Sequence, residues 1–363
     1  MVTGGHITPA MATIEVLRKQ HPDWRIVCVG RKFALEGETV ESEEYRLVSD
    51  AGLKFLPIIA GRLKREGGVG AWVALGKIPI GFFQAIWYVM TERPDLIVSF
   101  GGYVALPVVI AGWMLRVRSV THEQTRVPGL ANKIIAHFSA RTCVSFSDGV
   151  SGLGDHYLYT GLPLRNSVFT PPAKPTLTLP KEKLPIILIV GGSTGSVSMN
   201  ERVYAAIPTL IQSYTVIHQV GRLSWEKAVA VRTALRRVAE RYVIAPYLSE
   251  SDYSWALHHA ALVVGRSGAN TVLEIAAVGK VAVFVPLPWA AGNEQYHNAV
   301  YLQNAGSAVI VPQPEFTAER LISSVAQCMK TRELRERAAQ KLASTIPRDG
   351  AERLARVIED LIH

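Results

Sequence analysis

The chain has 363 residues, long enough for two domains of ordinary size. Hydrophobic residues make up 48% and charged residues 19%, a balance that excludes global disorder and suits a folded globular protein. A formal net charge of +9 points to an anionic partner. Because no aromatic-interleaved basic stretch or nucleic-acid motif is present, anionic lipid and phosphorylated ligands lead over nucleic acid. Cys28, Cys143 and Cys328 are odd in number, far apart and set in apolar runs. They imply neither a disulfide framework nor a metal site, and they fit a reducing cytoplasm. The N-terminus lacks the basic-then-apolar pattern of a signal peptide.

The chain opens with a glycine turn, Thr3-Gly4-Gly5-His6, followed by a predicted helix over Pro9–Lys19 with Pro9 in its first turn. Only Met1 and Val2 precede the turn, so its feeding strand is expected to be cut short or to start upstream, leaving neighbouring edges open. Strands are predicted at Arg25–Val29, Leu96–Phe100, Ser119–His122 and Thr142–Ser145, with a helix over Leu130–Ala140. Gly67 to Met90 is apolar apart from Lys77 and Gln84, but five glycines and Pro79 interrupt it. A spanning helix needs about 20 mostly apolar residues, so a buried or interfacial helix is the better reading. Between Arg165 and Pro185, Pro171, Pro172, Pro175 and Pro180 among Thr, Ser and Lys predict a linker over 169–185. Beyond it come strands at Ile186–Val190, Thr215–Val220, Tyr242–Ala245, Ala261–Val264, Val281–Val285 and Ala308–Val311. They alternate with helices over Ser198–Ser213, Glu226–Arg241, Asn270–Val278 and Asn293–Ala305. Such alternation predicts an α/β fold of two Rossmann-like domains with an interdomain cleft. The first domain is expected over 1–168 and the second over 186–346. The charged amphipathic helix Gly350–Leu361 is expected to pack back on the first domain, with residues 347–363.

The most informative segment is Arg266-Ser267-Gly268-Ala269-Asn270-Thr271-Val272-Leu273-Glu274, a turn of small residues running from strand to helix. A helix N-terminus gathers unpaired N–H groups and the positive end of the backbone dipole, and so attracts a diphosphate. Glu274 lies far enough along the helix to accept hydrogen bonds from a ribose. By itself the segment is equally an ordinary βα turn. Gly191-Gly192-Ser193-Thr194-Gly195 lacks the ending of a P-loop and the pattern of a dinucleotide fingerprint, which argues against nucleotide hydrolysis and NAD binding. Gln295 and Asn298 share one helix face, an arrangement suited to sugar hydroxyls or to a structural amide cluster. Gly101-Gly102-Tyr103 follows a strand, and His122-Glu123-Gln124-Thr125 ends the next one, where a doubly wound sheet presents its ligands. A His–Glu pair there suits general-base work on a hydroxyl, and a hydrogen-bonded loop suits the spacing as well.

Taken with Asn132-Lys133, Gly191-Gly192-Ser193, His218-Gln219 and Glu274-Ile275-Ala276-Ala277, these motifs resemble the MurG family of glycosyltransferases, end to end. That family (glycosyltransferase family 28, GT-B fold) forms the β-1,4 bond of lipid II with inversion at the sugar. The resemblance implies a hexosyltransferase that moves N-acetylglucosamine from UDP-GlcNAc to the muramyl C4 hydroxyl of lipid I. Donor contacts would involve Thr3, Gly4, Gly5, Thr125, Arg165, Ser193, Leu248 beside the uracil, Arg266–Ala269 at the diphosphate, and Asn270 through Glu274. Gln295 and Asn298 would hold the GlcNAc hydroxyls. His122, Asn132, Gly101, Gly102 and Tyr103 would line the acceptor side. His6 is the first candidate base and Glu123 the second. No cofactor or metal is expected, since helix dipoles can stabilise departing UDP. Where the family usually has Asn after His-Glu-Gln, this chain has Thr125, which removes an amide donor. The resemblance also implies peripheral attachment to the cytoplasmic face of the membrane, and cell-wall or division proteins as partners. A patch of Trp72, Phe82, Phe83 and Trp87 with Arg62, Lys64 and Arg65 would supply the membrane contact. Competing readings are a UDP-GlcNAc 2-epimerase, another lipid glycosyltransferase of this fold, or a non-catalytic UDP-sugar binder.

Overall fold

A computed structural model describes residues 1–4, 6–33, 41–59, 69–149, 154–192 and 195–362, with 69–78, 149 and 291 described by backbone alone. The expected site residues Gly5, Ser193, Arg62, Lys64 and Arg65 and the Trp72 side chain therefore lie outside what is described. The chain divides into two compact units, Met1–Arg165 with Asp349–His363, and Asn166–Arg348.

In the first unit, α1 (Ile7–Gln20), β1 (Val27–Gly30), α2 (Glu43–Asp50), β2 (Lys54–Pro57), α3 (Val69–Glu92) and β3 (Leu96–Ser99) come first. They are followed by α4 (Ala105–Met114), β4 (Arg118–Glu123), α5 (Leu130–Phe138), β5 (Arg141–Val144) and β6 (Tyr157–Tyr159). Strands β3 to β6 pair in parallel in chain order, and β1 pairs in parallel with β2. Val2 bridges Val29 on one side and Ser99 on the other, so the two-residue stub occupies the slot between β1 and β3. Its backbone is well used: Val2 N donates to Val98 O, Val2 O accepts from Phe100 N, and the Met1 amino group donates to Val27 O at 2.6 Å. With Val2 counted as the first strand, the order is that of a doubly wound sheet, in which the chain reverses direction at the stub.

The second unit carries β7 (Ile186–Val190), α6 (Val197–Leu210), β8 (Thr215–Gln219), α7 (Trp225–Ala234), β9 (Tyr242–Ala245) and α8 (Glu250–His259). Next come β10 (Ala260–Gly265), α9 (Ala269–Val278), β11 (Ala282–Phe284), α10 (Glu294–Asn304), β12 (Ala308–Ile310), α11 (Ala318–Lys330) and α12 (Arg332–Ala343). Its six parallel strands run β9-β8-β7-β10-β11-β12, a Rossmann order whose switch point lies between β7 and β10. These strands read as nearly unbroken apolar runs because helices cover both faces, and Ile187, Ile189, Leu262, Val264 and Val283 are fully buried.

The final helix, α13 (Gly350–Ile362), joins the first unit, where Leu354, Ala355 and Ile358 pack with Ile14, Leu17 and Cys28. His21 meets Glu359 at 2.7 Å along the same contact. The segment expected as a linker counts instead with the second unit. Thr176 donates to the Asp252 carboxylate through its N–H (2.7 Å) and hydroxyl (2.5 Å), and Val168 O accepts from His258. Proline there prevents regular structure without preventing packing.

Helix α3 buries Gly81, Ala85 and Val89 and exposes Ile80, Phe83, Trp87 and Met90 at helical spacing. Phe82, expected at the exposed patch, is half-buried. No described helix is long and apolar enough to cross a membrane.

Candidate functional site

Ligands of doubly wound sheets bind beyond the carboxyl ends of the strands flanking the switch point. In the second unit those ends carry the turns after β7 and β10, leading into α6 and α9. Neither helix has a side-chain cap at its N-terminus: Ser196 and Gly268 sit at the two cap positions without a capping hydrogen bond. Two adjacent uncapped termini concentrate N–H donors and positive dipole. Gly265 cannot carry a side chain here, because a Cβ would lie 2.7 Å from Val190 O in the paired strand.

The Arg266 guanidinium adds charge at this point but faces inward. It is buried, donates to Val285 O (2.9 Å), Ser196 Oγ (2.8 Å) and Ser198 Oγ (3.2 Å), and so ties the β10 turn to the start of α6. Burial lowers its pKa. Among the described residues, Arg266 Nε, Ser267 Oγ and Asn270 Oδ1 are buried without a hydrogen-bond partner. Buried polar atoms without partners are costly, and three of them cluster at this turn.

Glu274 is buried in α9 and accepts a hydrogen bond from Tyr253 Oη of α8 at 2.8 Å. Leu248 is buried in the loop after β9. Gln295 Oε1 accepts from Leu287 N at 3.0 Å, and Asn298, fully buried, donates to Ser267 O at 3.3 Å. The two amides expected to face sugar hydroxyls thus also brace the loops around the turn, Asn298 from within the core. Thr271, Val272 and Leu273 continue α9, and Val272 and Leu273 pack inward.

In the first unit the switch point brings Thr3-Gly4 against Gly101-Gly102. A Cβ on Gly4 would lie 2.8 Å from Gly101 O, and one on Gly102, at φ +82°, would lie 2.9 Å from Gly4 O. Only glycine allows the two turns to approach this closely. A polar chain then runs outward. Gly102 N donates to Asn132 Oδ1 (2.8 Å), and Asn132 Nδ2 donates to Glu123 Oε2 (2.5 Å). Glu123 Oε1 accepts from both N and Oγ1 of Thr125 (2.8 and 2.7 Å). Thr125, which lacks the amide donor usual at this position, fixes the carboxylate with two donors of its own. Tyr103 Oη accepts from Arg31 Nη1 at 3.2 Å.

His6, at the cap position of α1, has its pKa lowered by burial, with the Glu123 charge opposing that shift. It is a neutral imidazole at pH 7, able to take a proton. His122 is not placed to do so. Fully buried in β4, it donates from Nε2 to Gly161 O (2.9 Å), and burial lowers its pKa to about 4. Its role is to tie β4 to the 161–164 segment. Arg165 closes the first unit. The second unit alone therefore gathers Leu248, Arg266 to Glu274, Gln295 and Asn298, whereas Thr3, Gly4, Thr125 and Arg165 belong to the first.

Two Rossmann-order units, each with glycine turns at its switch point, are the architecture of the GT-B class of protein. Residues 3–144 match the glycosyltransferase family 28 N-terminal domain, and residues 186–354 match the family 28 C-terminal domain. A relative from Desulfotalea psychrophila is 32% identical over 99% of this chain and 95% of its own length. It is named UDP-N-acetylglucosamine–N-acetylmuramyl-(pentapeptide) pyrophosphoryl-undecaprenol N-acetylglucosamine transferase. The crystal structure of Acinetobacter baumannii MurG superposes with a TM-score of 0.71 at 26% identity, covering 99% of both chains. A putative UDP-N-acetylglucosamine 2-epimerase from Listeria monocytogenes shares the fold alone, with a TM-score of 0.63 at 14% identity over 99% of this chain and 95% of its own. The chain belongs to the MurG family of hexosyltransferases.

Sequence reasoning missed the partners that orient the site: Tyr253, Ser196, Ser198 and the Gly161 carbonyl.

Proposed function

We propose that this chain transfers N-acetylglucosamine from UDP-GlcNAc to the muramyl C4 hydroxyl of undecaprenyl-linked lipid I, with inversion, to give lipid II for peptidoglycan synthesis. The observation that carries this reading is the pair of uncapped helix termini at β7 and β10, with unsatisfied polar atoms beside them. In this scheme the second unit holds the donor. The N-termini of α6 and α9 meet the diphosphate, Glu274 takes ribose hydroxyls, Leu248 lies beside the base, and Gln295 takes sugar hydroxyls while Asn298 braces the turn. The first unit serves the acceptor. His6 accepts the C4 hydroxyl proton as that oxygen bonds to the anomeric carbon, and the bond to the diphosphate breaks with its electron pair leaving on UDP. Glu123, occupied by three hydrogen bonds, acts as the charge that favours the imidazolium formed. The helix termini meet the charge gathering on UDP, the need that a bound metal would otherwise serve.

The lipid acceptor gives the exposed stripe of Ile80, Phe83, Trp87 and Met90 a purpose as a peripheral contact with an anionic leaflet on the cytoplasmic side. Exposed Trp113, Met114 and Arg116 on and after α4 extend it. The test is to incubate the protein with labelled UDP-GlcNAc and lipid I and analyse the lipid product. A β-1,4-linked disaccharide lipid is expected. An epimerised sugar formed without acceptor would instead establish an epimerase.

A further inference from the structure

Gln219 is the last residue of β8, and its side chain does something no neighbouring residue does. Its Nε2 donates to Gly192 O at 2.9 Å, and its Oε1 accepts from Leu248 N at 3.0 Å. Gly192 lies in the turn after β7, and Leu248 in the loop after β9. One buried carboxamide thus connects the turn at the diphosphate end of the donor pocket to the loop at its base end. The chemistry is specific to glutamine. A carbonyl on one side requires a donor, and a backbone N–H on the other requires an acceptor. Gly192 sits at φ +90°, which sets the direction of the carbonyl that Gln219 holds.

The strand carrying Gln219 is itself anchored. Preceding it, His218 lies fully buried, with Nδ1 against Tyr242 Oη (2.9 Å) and Nε2 against Asn200 Oδ1 (3.1 Å). Asn200 Nδ2 in turn donates to Val220 O at 2.7 Å, fixing the residue after Gln219 to α6. The carboxamide therefore reaches out from a fixed base rather than following its two partners.

We propose that Gln219 is a positioning residue that sets the distance between the diphosphate turn and the base loop, and so selects a nucleoside diphosphate over the monophosphate. The proposal rests on the donor assignment above. It is tested with the full chain as wild type, Gln219→Leu and Gln219→Glu, titrating UDP and UMP separately by calorimetry and measuring KM and kcat for UDP-GlcNAc. The leucine removes both hydrogen bonds, and the glutamate keeps the acceptor while setting an oxygen against Gly192 O.

In both variants UDP affinity should fall about tenfold, as expected for hydrogen bonds lost at a preformed site, with a smaller loss for UMP. KM for UDP-GlcNAc should rise while kcat stays within about twofold, the pattern of lost ground-state binding. A merely structural role would lower UDP and UMP affinity alike. An unchanged UDP-to-UMP ratio in the two variants overturns the positioning role and leaves the donor assignment standing. Failure of the wild type to bind UDP overturns both.

Discussion

The polar chain from Gly102 through Asn132 and Glu123 to Thr125 has a direction, and Glu123→Gln tests it. Every link runs from donor to acceptor toward the carboxylate, which accepts three bonds and donates none. An amide at position 123 must point its NH2 group somewhere. Aimed at Asn132, it faces a donor. Asn132 can turn its own amide to accept, but it then presents NH2 to Gly102 N. Aimed instead at Thr125, it meets a hydroxyl that can rotate away and a backbone N–H that cannot. Either arrangement leaves one part-buried backbone N–H unsatisfied, at a cost of about 1–2 kcal/mol, the lower part of the range for a fully buried group. For a unit of this size each kcal/mol lowers Tm by roughly 2–4 °C, so differential scanning calorimetry should show a fall of about 5 °C in the transition of the first unit. Adding Asn132→Asp to Glu123→Gln restores the pattern. The new carboxylate accepts from Gly102 N and from the new amide, whose oxygen still accepts from Thr125. The double variant should recover most of the lost stability. A double variant no more stable than Glu123→Gln alone would refute the directional argument.

Three further outcomes are expected. His122 and His218 are buried neutral, with pKa values lowered to about 4 and about 3. The unfolded chain then binds more protons below about pH 6.5, so stability present above that pH should be lost as it falls toward 4 and then 3. Thermal melts across this range check the sign, and a midpoint independent of pH from 7 to 4 would contradict it. Tyr253→Phe removes the hydrogen bond that orients Glu274 but keeps the ring, so UDP affinity should fall about tenfold, as for a bond to a charged group. If Glu274 takes ribose hydroxyls, 2′-deoxy-UDP should lose less than UDP, which competition titration can read. On α3, Phe83→Ser with Trp87→Ser changes two exposed positions, 68% and 64% accessible, and should reduce sedimentation with anionic liposomes at little cost in stability. Unchanged sedimentation would remove this stripe from the membrane contact.

What the sequence reveals, and what it hides, divides by range. Ile186–Val190 and Tyr242–Ala245 form strands at their predicted limits because β-branched runs between breakers are a local signal. Strands β2 and β6 give no such signal: Lys54–Pro57 and Tyr157–Tyr159 are three or four residues long and not buried. Helix α4 is apolar nearly all round, so it has no stripe to show its period. The glycine turns were readable because strand, turn and helix follow one another in the chain. The partners of the site were not. Tyr253 meets Glu274 from a different helix, His122 meets the Gly161 carbonyl, and Asn132 reaches back to Gly102. Thr125 shows the limit most clearly. Judged by its side chain alone it is a lost amide, yet its backbone N–H and hydroxyl both serve Glu123.

The last helix has a consequence for biosynthesis. The second unit is one continuous stretch, Asn166–Arg348, and can close its core once that stretch has left the ribosome. The first unit cannot, because Leu354, Ala355 and Ile358 of its core are translated after the whole of the second unit. The domain made first is therefore completed last, and until Gly350–Ile362 emerges its Ile14 and Leu17 face stays open to chaperones and proteases. Chains stalled just before Gly350 should be cut in the first unit and resist cutting in the second.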